Sequence, residues 1–400
     1  MALPLEGVRI LDLSVFQQGP VASAMLADMG ADVIKIESLG TPDPGRASTP
    51  SAPNGLTPYF QQQNRNKRGI CLDLKNEAGR ELFLRLIETA DIFHSNMRPG
   101  VLERLDLTYD VVSQRNPRII VSHATGWGHL GPDAEAQLGS FDGLAQARGG
   151  LMSVNGRREC GPHSVNMPIA DQVGAMMGAF GMMVALYERE HSGLGQEVNT
   201  SLYGSQMFMQ AFGIVSAIWN NRAPQFRGAD EARPHWASYP TSDGGLLMMA
   251  GSQPDKWWAD FCDVMGVPEC AEGVYTTNSF NPEWCKETRA KLVARFLTAT
   301  RDEWMAKLTP KFFVQPVANY LDIARDAQAW ANSYLSDLPL DGGDAVTMVG
   351  TPVHLSRTPA TLRTLAPELG QHTEEVLLEA GYDWPEIVEL REQGAFGQER

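Results

Sequence analysis

One carboxylate stands out by its setting. Asp171 is the only charged residue between Met167 and Tyr187, and it opens the otherwise apolar run Ile169-Ala170-Asp171-Gln172-Val173-Gly174. An acid in the first turn of a helix has two readings. It can serve the helix itself, accepting from backbone N–H groups and answering the helix dipole. It can also serve as a nucleophile, carrying an acyl group as an anhydride and then a thioester. Residue types alone leave both open. A second group of interest is Gln17-Gln18-Gly19-Pro20, whose amide side chains could hydrogen-bond a carboxylate or thioester oxygen without adding charge. A plain turn with exposed glutamines would read the same. The third is basic: Asn64-Arg65-Asn66-Lys67-Arg68, followed by Lys75, Arg98 and Arg104. Such a cluster suits a ligand with several phosphates, and equally a solvated charge run.

Other chemistries find little support. The eight histidines form no i, i+4 pair, and no zinc site is expected. His123 ends a strand, where a lone histidine is most simply structural. No GxSxG motif is present, so the serine hydrolase elbow is missing. Glu37 sits where a ribose-binding acid would lie, but the first strand–helix loop has one glycine where dinucleotide binding calls for three.

The elements that must position these groups alternate between strand and helix. Val8–Leu13 reads as a strand, Pro20–Met29 as a helix closed by Gly30, and Asp32–Glu37 as a second strand. Repetition follows in Cys71–Leu74, Glu77–Glu88, Asp91–His94, Tyr109–Gln114, Ile119–Ser122, the long helix Asp171–Glu190 and the strand Glu197–Leu202. Strand–helix–strand units of this kind build a parallel sheet covered by helices, a doubly wound α/β architecture. Gly174, Gly178 and Gly181 give the long helix a bare face for close packing. Character changes after residue 205. The expected division is 1–205 as a large domain, 206–224 as a linker helix, 225–328 as a smaller α/β domain, 329–345 as a linker and 346–400 as the rest of the large domain. Trp304 and Trp330 are expected in cores.

Composition bounds the partners. The chain has 400 residues, 33 basic and 48 acidic, for a formal net charge of −15. Such a surface repels nucleic acid and anionic membranes, so an anionic ligand needs a local basic cluster. Five scattered cysteines with no secretory leader point to reduced thiols in the cytoplasm. No uninterrupted apolar run approaches membrane-spanning length.

In order along the chain, LEGVRILDLS with QQGP, ADVIKIE, NRNKRGICLDLK, NMRPG before Leu102-Glu103-Arg104, Phe141-Asp142 with Gln146, IADQVGAMMGAFG, SGLGQ and GQHT resemble the class III CoA transferases. The resemblance implies that Asp171 is the nucleophile and that Gln17 orients and polarises the reacting carbonyl. It implies CoA contacts at Leu72, Lys75, Asn96, Met97, Arg98 and Arg104, with Phe141 near the thioester. Coenzyme A enters as substrate, passing from an acyl-CoA to a small free carboxylic acid, with no metal and no tightly held cofactor. An interlocked homodimer is implied, with a heteromer of related subunits as the alternative. Acyl-CoA racemases of the same fold place a histidine where this chain has Ser140. The glycine-rich loop of formyl-CoA transferases is missing: Asn220–Tyr239 holds only Gly228, with Arg222, Arg227 and Arg233 offered to a substrate carboxylate.

Overall fold

The computed structural model describes residues 2–38, 40–52, 54–226, 232–271, 281–340 and 343–397. Two compact units emerge, one made of Met1–Met152, Ser164–Arg222 and Gln328–Arg400, the other of Ser153–His163 and Ala223–Ala327.

The first unit follows the expected alternation. Its elements are β1 (Arg9–Leu13), α1 (Gln18–Asp28), β2 (Asp32–Ser38), α2 (Pro58–Asn64), β3 (Arg68–Leu72), α3 (Glu77–Ile87), β4 (Ile92–Ser95), α4 (Val101–Arg104), α5 (Tyr109–Arg115) and β5 (Ile120–Thr125). Then come α6 (Pro132–Glu135), α7 (Asp142–Arg148), the small hairpin β6 (Gly156–Arg157) and β7 (Gly161–Pro162), α8 (Ile169–Ser192), β8 (Glu197–Ser201), α9 (Leu202–Met209) and α10 (Ala211–Trp219). The hairpin falls in the second unit. Six strands pair in the order β3-β2-β1-β4-β5-β8, and every pairing is parallel. Strand order reverses beside β1, so β1 and β4 diverge at a switch point, where open parallel sheets bind their ligands.

Two cores flank this sheet. Leu11, Ile34, Phe83, Phe93 and Val121 fill one, closed by Val376, Leu377 and Phe396 from the end of the chain. Ile10, Val33, Ile92 and Ile120 face the other, against α1 and α8. The glycine stripe works as its spacing predicts. A Cβ on Gly174 would meet the Gln18 side chain, one on Gly178 the Ala22 methyl at 3.4 Å, and one on Gly181 the Val198 methyl at 2.6 Å. By length and composition α8 is the one described helix that could cross a membrane. Its glycine face is instead packed on α1 and β8.

The structure departs from the sequence expectations in several places. Strand β3 begins at Arg68 rather than Cys71, the stretch expected as one linker helix from 206 is divided at Gln210 between α9 and α10, and Leu335–Pro339 pairs with Ala345–Val349. Trp304 is 3% exposed, but Trp330 lies at the surface. The second unit carries a three-stranded antiparallel sheet, Val314–Pro316, Leu246–Ala250 and Trp236–Pro240. Tyr239, Trp258, Phe261, Phe296 and Trp304 fill its core.

The basic run 64–68 is the main correction. Its charges are taken up by partners within the fold, those of Arg65 and Lys67 in the interior and that of Arg68 nearer the surface. Arg65 and Asn66 both reach Asp28, at 2.7 and 2.8 Å. Arg68 pairs with Asp32, Glu375 and Glu379. Lys67 is fully buried and donates to Asp12 at 2.8 Å, to the Pro20 carbonyl and to Asn64. Burial opposes ionisation of Asp12, but Lys67 and Lys35 outweigh it and hold the carboxyl far below its ordinary range. Removing one partner of a buried pair strands the other charge. Lys67→Met is therefore expected to cost about 3–5 kcal/mol near neutral pH, read as a lower urea midpoint. Because the folded Asp12 value is depressed, the wild-type advantage should persist above the ordinary carboxyl range and shrink as pH falls below ~4.

Candidate functional site

Several of the sequence-predicted residues lie at or after the carboxyl ends of the strands. Gln17 follows β1, Leu72 and Lys75 end and follow β3, Asn96, Met97 and Arg98 follow β4, and Phe141 lies beyond β5. Asn96 bridges the switch point itself. Its Oδ1 accepts from the Val15 N–H at 2.8 Å, and its Nδ2 donates to the Val15 carbonyl at 2.7 Å. The amide expected to hold CoA is thus engaged in clamping the loop that carries Gln17. Phe16, inside that loop, has φ 62°, a left-handed conformation that costs a bulky residue roughly 1–3 kcal/mol unless its surroundings enforce it. Asp43 helps to do so, accepting from the Phe16 N–H at 2.9 Å. Gln17 is buried to 5% exposure, and its side chain does not cap α1.

Asp171 sits in the first turn of α8, but it does not cap that helix. The cap comes from another acid, Asp142 at the start of α7, whose Oδ2 accepts from the N–H groups of Ala170 and Asp171 at 2.6 and 3.1 Å. Gln146 holds Asp142 in place and also donates to the carbonyls of Val165 and Met167. Among the described residues, the half-buried Asp171 carboxylate has neither a hydrogen-bond nor an ion-pair partner. Burial and the nearby Asp142 charge push its carboxyl up to about 7. That is the environment of a group poised for chemistry near neutral pH.

Further residues border it. Gln18 lies against Gly174, one turn beyond Asp171, and among the described residues its buried Nε2 has no hydrogen-bond partner. The Tyr59 phenol on α2 is pushed up by burial and by the charges of Asp171 and Asp43, which places it near both. Tyr59, Asp43 and Asp142 are site residues that sequence reasoning does not single out. Of the three, only Asp142 leaves a signal there, within the Phe141-Asp142 match.

The remaining predicted residues are more dispersed. Met97 and Arg98 line a cleft of roughly 460 Å³ with Glu103, His123, His129 and Glu197. His123 is not solitary, since its Nε2 lies 3.3 Å from Glu197. Lys75, Arg104 and Phe141 are exposed, whereas Leu72 is buried and bridges Phe396. Of the cationic loop, Arg222 is exposed, and Arg227 and Gly228 lie outside the described residues.

Residues 5–373 match the model of CoA-transferase family III. The chain belongs to that family. Family III relatives include an (R)-2-hydroxy-4-methylpentanoate CoA-transferase of Clostridioides difficile, 31% identical over 97% of this chain and 98% of the relative. A succinyl-CoA:mesaconate CoA-transferase of Haloarcula hispanica is also 31% identical, covering 94% and 96%. Among solved structures, a CAIB/BAIF family protein from Brucella suis superposes with a TM-score of 0.84 at 26% identity, over 95% of this chain and all of the other. The α/β fold with its six-stranded parallel sheet is thus the family III fold.

The raised Asp171 value has a stability consequence with a definite sign. Ionisation is harder in the folded than in the unfolded chain, so the penalty is absent below the ordinary value of 3.8, grows with pH, and is complete above about 7. Asp171→Asn removes it. At pH 8 the variant should be more stable than wild type by about 1–3 kcal/mol, after allowance for partial exposure, and nearly equal to it at pH 4. Melting curves at the two pH values decide, and an equal or lower midpoint at pH 8 would refute the electrostatic account.

Proposed function

We propose that this protein transfers coenzyme A from an acyl-CoA donor to a free carboxylic acid, with Asp171 as the covalent carrier. The observation that carries the reading is the half-buried Asp171 carboxylate, unpartnered among the described residues and raised to about 7 at the start of α8. The carboxylate attacks the thioester carbonyl carbon, the C–S bond breaks, and CoA thiolate leaves behind an acyl–aspartyl anhydride. The thiolate then attacks the aspartyl carbonyl, expelling the donor acid and leaving an aspartyl-CoA thioester. The acceptor carboxylate attacks that thioester and again frees the thiolate. Attack of the thiolate on the acceptor's acyl carbon in the second anhydride releases the new acyl-CoA and restores Asp171. Each addition develops negative charge on a carbonyl oxygen. The Gln17 carboxamide is assigned as a donor to that oxygen, supported by its burial beside the switch point. Leu72, Lys75, Asn96, Met97, Arg98, Arg104 and Phe141 are assigned to CoA on the strength of the family resemblance. For Asn96 the assignment falls on the backbone, because its amide is committed to Val15.

The same reading takes two copies as the working assembly. It is supported by Phe208, Phe212, Ile218 and Trp219 of α9 and α10, all of them more than two-thirds exposed. An apolar face of this kind marks a protein interface.

Two measurements follow. Intact-protein mass spectrometry after mixing with succinyl-CoA or acetyl-CoA should show a CoA-sized adduct released by hydroxylamine and missing from Asp171→Ala. An adduct that survives in Asp171→Ala would refute the assignment. Light scattering should give twice the chain mass, and Phe212→Glu with Trp219→Glu should lower it. A monomer in the unaltered protein would sink the two-copy reading.

A further inference from the structure

The loop from Ser14 to Gln17 is held from one side by a carboxylate outside the residues already assigned to the reaction. Asp43 is 2% exposed and uses both oxygens. Its Oδ1 accepts from the N–H groups of Phe16 and Gly45, at 2.9 and 2.8 Å. Its Oδ2 accepts from Lys35 Nζ at 2.8 Å, and that fully buried ammonium also donates to the Ser14 carbonyl at 2.9 Å. Two backbone groups of the loop, the Ser14 carbonyl and the Phe16 N–H, are therefore fixed by one ion pair.

Asp43 is itself braced from behind. Its N–H donates to Glu37 Oε1, and Glu37 is gripped by Arg46, which also reaches the Pro367 carbonyl. On the other flank, a Cβ on Gly45 would lie 3.3 Å from the Tyr59 ring, so the phenol is seated against the turn that Asp43 caps. Tyr59 in turn feels the charges of both Asp43 and Asp171. One carboxylate thus governs the residue preceding Gln17 and borders the ring that borders the nucleophile.

We propose that Asp43 is a positioning residue, which sets the Gln17 carboxamide relative to Asp171 by locking Phe16 in its left-handed conformation. The role rests on the transferase reading and needs no contact between Asp43 and substrate. A misplacement of about 1 Å in a reacting geometry costs on the order of 100-fold in rate, so the lock acts on the chemical steps and not on CoA affinity.

The test compares three variants. Asp43→Ser removes the charge and both carboxylate oxygens, leaving a single hydroxyl on a shorter side chain, and Asp43→Asn keeps one of the two oxygens. Asp28→Asn perturbs another buried ion pair of the same unit, with Arg65, away from the loop. Three quantities are read: the single-turnover rate of the CoA adduct, the CoA dissociation constant by calorimetry, and hydrogen exchange at Phe16 without substrate. Asp43→Ser should lose Phe16 protection and slow adduct formation by about 100-fold, with CoA affinity changed less than about threefold. Asp43→Asn should recover about tenfold of that rate, while Asp28→Asn melts earlier but keeps its rate. Should Asp43→Ser not fold, Asp43→Asn carries the comparison with Asp28→Asn. Lost protection with an unchanged rate would overturn the positioning role and leave the transferase reading intact. Weakened CoA binding that accounts for the whole rate loss, or an equal loss in Asp28→Asn, would also overturn it. Failure of the wild type to form any adduct would remove the transferase reading, and this role with it.

Discussion

Burying ionic groups at the ends of β1 and β2 is the constraint on which the rest of the large unit depends. Asp12 and Lys67 are both at zero exposure, as are the side chains of Lys35 and Asp43. A buried pair is poor evidence for stability, because desolvation consumes most of its attraction. What such a pair provides here is definition. Lys67 ties α2 to β1 and to the first turn of α1 through the Pro20 carbonyl, and Lys35 ties β2 to the loop after β1. An apolar core of equal volume would tolerate small slips between these elements. Charges that must meet at 2.8 Å do not.

A second electrostatic choice is made at α8. A lone acid in the first turn would ordinarily satisfy the helix start and lose its reactivity in doing so. Asp142 takes that duty, which leaves the Asp171 carboxylate unpaired among the described residues and adds a like charge beside it. Both effects destabilise the resting protein. Local rules are broken at this point, the pattern expected of functional sites, and that is where the proposed reading puts the nucleophile.

Much of this is legible in the amino-acid order alone. Strand–helix alternation points to the parallel sheet because its strands, buried on both faces, read as continuous apolar runs such as Val33-Ile34 and Ile119-Ile120-Val121. The glycines of α8 announce close packing through their spacing. Asn64–Arg68 misleads for a physical reason: sequence displays charge but not its partner, and Asp12, Asp28, Asp32, Glu375 and Glu379 are scattered over the whole chain. The strand Leu335–Pro339 escapes notice because Ser336, Asp337 and Pro339 weaken its pattern. Asp43 and Tyr59 are invisible because their importance arises from long-range geometry, in a segment whose proline and glycine content reads only as loop.

The first unit is assembled from three separated stretches of chain, and this bears on how it is made. The edge of β3 is completed by residues near the C-terminus: the Cys71 N–H meets Thr373, the Leu72 backbone bridges Phe396, and Asn66 accepts from Arg363 and Thr364. During synthesis the sheet emerges long before these partners do. At roughly 5–20 residues per second, the ribosome needs on the order of ten seconds or more to deliver them, and the second unit comes out in between. For that interval a parallel sheet rich in Ile and Val stands with one edge open, which is the form most prone to wrong pairing. An edge left open in this way exposes the nascent sheet to wrong pairing until Arg363, Thr364, Thr373 and Phe396 have emerged to cover it.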